Sequence, residues 1–165
     1  AAQTQTTHLL SHVFVAPYRP PLVTAKAFST LDVLSGGRAI LGVGIGHVKA
    51  EFDLLGQDFH SRGRSLDDSL PVIREALANG EVDGALVHPR SPRPGGVPIW
   101  VGGSSERALK RAALLGDGWL PQGPPPMGMR AAIDLMRGER RALLGSDQPF
   151  DIGTNAGPVY VGEDT

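Results

Sequence analysis

An α/β fold with a parallel sheet is predicted by the way short apolar runs alternate with segments of helical periodicity. Two further observations support this prediction. The 22 glycines and 14 prolines are dispersed at the ends of the apolar runs, where they separate elements. Short runs that are apolar on both faces are typical of strands in a parallel sheet, whose right-handed crossovers are helices. These rules leave two architectures, a barrel and an open doubly wound sheet.

The first three predicted elements form one βαβ unit. Residues 8–16 are mostly apolar and predict a strand that ends at Pro17. Apolar positions then recur at helical spacing over residues 22–34, after two prolines that suit a first turn and before two glycines that suit a left-handed stop. Residues 39–43 predict a buried strand.

The same pattern repeats over the rest of the chain. Residues 47–64 form a polar connection, and the stripe of Leu70, Ile73 and Leu77 predicts a helix that ends at Gly80. Pro71 is expected in its first turn, and at any later position it would kink the helix. Further strands are predicted at residues 99–101 and 119–120 and helices at 104–115 and 130–144, and the last extended segment is residues 152–161.

Composition excludes several classes of function. The 16 Lys and Arg residues balance 17 Asp and Glu residues, so no charge excess indicates nucleic acid or an anionic membrane as a partner. The chain has no cysteine, which excludes disulfides and thiolate metal sites. No apolar run reaches the roughly 20 residues of a membrane span, and the first residues lack signal-peptide features. We expect a soluble, cytoplasmic protein with a small-molecule substrate.

The strongest candidate ligand site is the predicted strand-to-helix turn of Gly102, Gly103, Ser104 and Ser105. Glycines let the backbone approach a ligand, and the free amides of a first helical turn, with serine hydroxyls beside them, can bind a phosphate. On spacing alone, an ordinary N-cap at Ser104 or Ser105 is the simpler interpretation.

A second candidate site follows the strand at residues 39–43. Gly44, Gly46 and His47 lie at its carboxyl end, which is the catalytic face in a barrel. The glycines alone are a weak signal, since they also serve tight turns. His47 is more informative, because imidazole titrates near neutrality and can exchange a proton with a substrate. The alternative interpretation of His47 is an ordinary surface histidine. Glu51, four residues further on, either pairs with His47 or starts the next helix.

Three stretches carry a family resemblance: APYRPPLVTAKAFSTLDVLSGGRAILGVGIGHVKAEF (16–52), VPIWVGGSSERALKRAALLGDGWLP (97–121) and GPVYVG (157–162). In this order, with LDVLSGGR before GVGIG as the most specific pair, they resemble the luciferase-like monooxygenase superfamily, closest to its actinobacterial deazaflavin-dependent branch. The resemblance implies a partial (β/α)8 TIM-type barrel similar to strands three to eight of eight. Residues 1–165 are then one incomplete domain, without the first two strands.

The resemblance also implies a cofactor, whose phosphate the family holds at the turn of Gly103 to Ser105. The deazaflavin coenzyme F420 moves hydride, whereas reduced FMN activates oxygen. The implied activity is F420-dependent hydride transfer to or from a small organic substrate, by a homodimer. One alternative is an FMN-dependent monooxygenase, which Ile45 weakens because true luciferases place a phosphate-binding arginine there. Another is a non-catalytic, flavin-binding remnant.

Two histidines gain roles from the same resemblance. His47 stands where some deazaflavin sugar dehydrogenases hold a residue that contacts cofactor and substrate, so His47 is the catalytic candidate. Ser11, His12 and Val13 match the segment where the family holds a non-proline cis peptide against the flavin ring, so His12 either faces that ring or is an ordinary strand residue. The candidate cofactor contacts are His12, Gly44, Gly46, Gly102, Gly103, Ser104 and Ser105. The sequence predicts no metal site, and the basic residues of the 104–115 helix are expected on a solvated face.

Overall fold

The computed structural model describes residues 1–145 and 149–153 of the chain. The strands of this part are Leu9–Leu10 (β1), Phe14–Val15 (β2), Ala39–Gly44 (β3), Glu81–Val82 (β4), Ala85–Leu86 (β5), Ile99–Gly102 (β6), Gly118–Leu120 (β7) and Asp151–Ile152 (β8). Its α-helices are Pro21–Ser35 (α1), Lys49–Leu54 (α2), Arg62–Asn79 (α3), Glu106–Leu115 (α4) and Met129–Leu144 (α5), and a 3-10 helix spans Ala16–Tyr18.

Six of the strands form one parallel sheet. β3 pairs with β1 and β2 along one edge and with β6 along the other, and β7 and β8 follow β6 in order. The sheet is curled into a half-barrel, which confirms the predicted α/β class and the partial TIM-type barrel. Because all these strands run in one direction, the segments that follow them emerge at one edge, which we call the carboxyl edge.

Local signals set both ends of α1 as predicted. α1 starts with Pro21 in its first turn, where the missing N–H leaves no bond unmade. It ends at Gly36, whose φ of 68° is left-handed, a conformation that glycine adopts without a steric penalty. α3 and α5 end in the same way.

The core lies between the sheet and the helices. Leu41, Val43, Ile99, Val101 and Trp119 are fully buried on the strands. Helix residues from α1, α3, α4 and α5 cover them in one continuous cluster. Burial of each such side chain is worth roughly 1.5–3 kcal/mol, so this layer fixes the spacing of the strand ends. None of the helices in the described ranges is long and apolar enough to cross a membrane.

The strand predicted at residues 8–16 is interrupted. β1 and β2 both pair with β3, but the peptide between His12 and Val13 is cis and the ladder breaks there. Inside the break, the Ser11 hydroxyl accepts a bond from Gly42 N at 3.0 Å and donates one to Gly42 O at 2.9 Å. The Ser11 side chain thus replaces the backbone pairing at this point. Ala16, the last residue of the predicted strand, starts the 3-10 helix instead.

The connection predicted at residues 47–64 also contains regular structure. α2 lies within it, and α3 begins as early as Arg62. The expectation that Pro71 occupies a first turn is therefore wrong, since it lies inside the helix with its ring exposed. The prediction counted only the apolar stripe, and the first turn of α3, which is rich in Arg and Ser, carries none of that stripe.

Two other segments depart from the prediction. β4 and β5 form an antiparallel hairpin between α3 and β6, where the sequence pattern predicts no regular element. Its turn is Asp83-Gly84, both with positive φ, which is a known hairpin signal. At the other end of the chain, β8 shows that the last extended segment begins near Ile152. Residues 154–161 of the predicted strand, and the GPVYVG stretch, lie outside the described residues.

Candidate functional site

The predicted site residues come together at the carboxyl edge. In the ladder between β3 and β6, Gly42 pairs with Trp100 and Val43 with Val101 in parallel register, so both strands end at the same level. His47 follows β3 and Gly103 follows β6, and the two therefore emerge at this edge, as expected. The His12 side chain joins them, because its ring approaches Gln122, which follows the carboxyl end of β7.

Val13, next to the cis peptide, explains two of the glycines. A Cβ on Gly44 would lie 2.6 Å from Val13 Cγ2, and a Cβ on Gly102 would lie 2.8 Å from Val13 Cγ1. Real Cβ atoms do not approach so closely, so both strands need glycine to accept this one side chain. The space beside both glycines is thus filled by protein, and their contact with a cofactor stays a prediction.

Gln122 stands beside His12 at the same edge, in the segment after β7. Its amide nitrogen lies 3.4 Å from His12 Nε2, and both residues are exposed. Its backbone N–H donates to the Ser104 hydroxyl at 3.0 Å. Gln122 therefore links the strand interruption to the candidate phosphate turn, a contact that sequence analysis missed because the residue belongs to no motif.

The candidate turn is built as predicted, but its hydroxyls have partners. Gly103 has a φ of 122°, which an L side chain rarely adopts. The Ser104 hydroxyl donates to Gly123 O at 2.8 Å and accepts from Gln122 N, so both of its functions are used within the protein. The Ser105 hydroxyl accepts from Ala108 N at 3.3 Å as the N-cap of α4, which leaves its own proton for a ligand.

A cleft of about 430 Å³ opens beside this turn. We call it the arginine cleft, because its wall includes four arginines together with residues that follow β3 and β6: Ile45, Arg62, Arg64, Ser105, Arg107 and Arg111. It thus lies between the start of α3 and the start of α4. His47 is not among its lining residues within the described ranges.

The arginines of the cleft differ in their partners. Arg111 is buried and pairs with Asp67, so its charge is matched. Arg62, Arg64 and Arg107 take part in no ion pair within residues 1–145 and 149–153. The Arg62 Nε atom is also buried without a hydrogen-bond partner in that part of the chain. An unsatisfied buried guanidinium N–H is uncommon in proteins and is the kind of group that a bound anion satisfies.

One carboxylate also lines the cleft. Asp58 accepts hydrogen bonds from His60 N at 2.9 Å and Ser61 N at 3.1 Å. The backbone bond from His60 is the main reason why the pKa of Asp58 is lowered. Even with this negative charge, the three arginines without ion pairs leave the cleft net positive.

His47 is exposed between β3 and α2, and its predicted partner is engaged elsewhere. Glu51 lies in the first turn of α2 and accepts a hydrogen bond from the Tyr18 hydroxyl. This bond is the main cause of the raised pKa of Tyr18, because the neutral phenol is the better donor. Of the two alternatives for Glu51, the structure supports the start of the following helix.

Sequence analysis missed the arginines of the cleft. It placed Arg107 and Arg111 on a solvated helix face, which is wrong for Arg111 because that side chain is buried against α3. The signal that could have found the cleft is the pair Arg62 and Arg64 in the segment after a predicted strand end. Among the described residues, no group of three or more His, Asp or Glu side chains could hold a metal ion.

Known proteins share both sequence and shape with this chain. An uncharacterised protein of Mycobacterium tuberculosis is 32% identical over 159 residues, covering 89% of this chain and 54% of the relative. A 5,10-methylenetetrahydromethanopterin reductase of Archaeoglobus fulgidus is 32% identical over 123 residues, 70% of this chain and 37% of the reductase. The chain spans about half the length, or less, of these curated relatives.

A solved structure also matches this chain. The coenzyme F420 dependent tetrahydromethanopterin reductase from Methanopyrus kandleri matches with a TM-score of 0.73 at 25% identity, over 92% of this chain and 50% of that one. The family model described as luciferase-like monooxygenase matches residues 1–165. Together with the half-barrel and the glycine-rich carboxyl edge, this match confirms the resemblance: the chain belongs to the luciferase-like monooxygenase family.

Proposed function

We propose that this chain forms the phosphate-binding part of an F420-dependent oxidoreductase that transfers hydride to or from a small organic substrate. The observation that carries the proposal is the arginine cleft, which opens at the carboxyl edge beside the first turn of α4. The F420-dependent reductase named above supports the choice of cofactor.

The residues present fit a phosphate group. Three arginines without ion pairs in the described residues, among them Arg62 with its unpartnered Nε, can offer charged donors to an anionic acceptor. The free amides of the first turn of α4 and the proton of the Ser105 hydroxyl add donors on the other wall. In this proposal Arg62, Arg107 and Ser105 hold the phosphate, while Ser104 fixes the turn through its bonds to the segment after β7.

The remaining predicted residues act at the mouth of the half-barrel. F420, when bound, supplies a two-electron hydride carrier. His12 and the glycine-rich ends of β3 and β6 would hold the deazaflavin ring, and His47 would exchange a proton with the substrate. An exposed imidazole suits that role, because water can restore its proton after each turnover.

Two other functions remain as alternatives. An FMN-dependent monooxygenase is favoured by the name of the matching family, and the same cleft would hold the FMN phosphate, although Ile45 in its wall adds no charge. A non-catalytic, flavin-binding remnant is the other alternative, and the titration below distinguishes it.

A fluorescence titration with F420 and with FMN tests the proposal. We expect F420 to bind more tightly than FMN, and Arg107→Ala to weaken F420 binding about 10- to 100-fold, because a charged hydrogen bond is worth roughly 1.5–3 kcal/mol. Arg130→Ala is the matched control, since that arginine is 90% exposed on α5 and pairs with Asp134. Tighter FMN binding would assign a monooxygenase. Binding of neither cofactor, with a cooperative thermal transition, would assign a remnant.

A further inference from the structure

Arg62 is held in place by a residue outside the arginine cleft. Its guanidinium carbon lies 3.8 Å from the centroid of the Phe59 ring, well within the range of a cation–π contact. Its Nη1 atom donates to the Phe59 carbonyl at 2.7 Å. Phe59 thus fixes this guanidinium through both its ring and its backbone, and Phe59 does not line the cleft.

The other unpaired arginines of the cleft are not held in this way. Arg64 and Arg107 are exposed, whereas Arg62 is half-buried. A free arginine side chain carries about 2 kcal/mol of rotamer entropy, part of which is lost when a ligand immobilises it. A guanidinium that is already oriented binds an anion with a smaller entropic loss. Arg62 is therefore the preorganised cation of the cleft.

Phe59 is itself anchored by a chain of aromatic rings. Its ring meets that of Phe52 edge to face at a centroid distance of 5.3 Å, and Phe52 meets Tyr18 at 4.8 Å. Phe52 is fully buried. Asp58 caps the turn that follows Phe59 through His60 N and Ser61 N. The ring is thus fixed from the 3-10 helix after β2, through α2, to the start of α3.

We propose that Phe59 is a positioning residue, which makes the affinity of the cleft for a phosphate depend on a ring that does not touch the phosphate. This inference rests on the proposed function only in placing the phosphate in the arginine cleft. It adds that phosphate selectivity requires an aromatic residue at position 59.

The test compares FMN with riboflavin, which differ by the phosphate alone, and F420 with its deazariboflavin, which lacks the phosphate together with the groups that the phosphate carries. We expect Phe59→Leu to weaken binding of the phosphorylated ligand about 5- to 30-fold, the loss of a partly desolvated cation–π contact, and to leave the phosphate-free ligand unchanged. Phe59→Tyr keeps a ring and should keep the selectivity. Arg62→Lys, which lacks the planar guanidinium, should lose the selectivity for the phosphorylated ligand to a similar extent.

A double variant makes the test independent of general damage to the fold. If the ring acts through Arg62, Phe59→Leu should cause no further loss of selectivity in an Arg62→Lys background. Equal weakening of both ligands by Phe59→Leu, or additive losses in the double variant, would overturn the inference and leave the proposed function intact. A wild-type chain that does not prefer the phosphorylated ligand would overturn both.

Discussion

The two edges of the sheet use arginine in opposite ways. At the amino edge, Arg93 reaches the fully buried carboxylate of Asp32 through Nη2 at 2.8 Å and donates to Ala39 O. Arg38 likewise donates to Thr4, Thr7 and Ser35. At the carboxyl edge, three arginines of the cleft have no carboxylate partner in the described part of the chain.

This difference separates stability from binding. An arginine whose donors are all used ties segments together and offers little to a ligand. An arginine without a matching carboxylate adds little to folding, because exposed charges are worth less than about 1 kcal/mol, but it remains available to an anion. Loss of the arginine contacts at the amino edge should therefore lower stability and spare binding, whereas loss of an exposed arginine of the cleft should weaken binding and spare stability.

The largest effect is expected for Asp32→Ala. Asp32 also accepts from Ala39 N at 3.0 Å and from the Ser91 hydroxyl at 2.6 Å, so its loss leaves three donor residues without their common acceptor. Removal of one partner from a buried ion pair costs about 3 kcal/mol or more of unfolding free energy. Urea denaturation measures this loss.

Asp53→Ala is the matched control for Asp32→Ala. Its carboxylate is 58% exposed in an ion pair with Lys49, and its loss should cost less than about 0.5 kcal/mol. If both variants lost the same stability, the contrast between buried and exposed pairs would be wrong.

A smaller loss, about 1–3 kcal/mol, is expected for Gly44→Ala, because the added methyl would meet Val13 at 2.6 Å. Val13→Ala in the same chain should recover part of that loss, and thermal melting of the single and double variants measures the coupling. Gly138→Ala in α5 is the control, since nothing lies within 4 Å of its new methyl and alanine favours a helix by about 1 kcal/mol. Lack of coupling between residues 44 and 13 would show that Val13 does not explain the glycine.

The smallest effect on stability is expected at Ser105, where the effects on stability and on cofactor affinity can also be separated most clearly. Ser105→Ala removes an N-cap and should cost about 1 kcal/mol of stability. Ser105→Asp keeps a cap of equal quality but adds a negative charge to the cleft wall, so stability should hold while F420 affinity falls at least tenfold. Wild-type affinity in the Asp variant would place the phosphate away from this turn.

Features that depend on nearby residues could be predicted from the sequence. The ends of α1 and α4, the strand β3 and the Ser105 cap follow from proline, glycine, serine and the spacing of apolar residues within a few positions. The interruption between β1 and β2 could not be predicted in this way, because it depends on Ser11 pairing with Gly42, 31 residues away.

The same limit applies to the candidate site. The family resemblance supplied the turn at Gly103 and the cis peptide at His12, and the structure contains both. The arginine cleft could not be predicted, because Arg62 and Arg107 are brought to one cleft by the pairing of β3 with β6. Charge balance over the whole chain conceals such a local excess.

Trp119 makes movement of the candidate phosphate turn detectable by fluorescence. Its buried indole N–H donates to Gly103 O at 2.7 Å, so the emitting ring is bonded directly to the turn. Indole emission depends on the hydrogen bond and polarity around the ring, and any displacement of Gly103 changes both. Since Trp100 is the only other tryptophan in the chain, a Trp100→Phe variant would carry a single intrinsic fluorophore that reports movement of this turn.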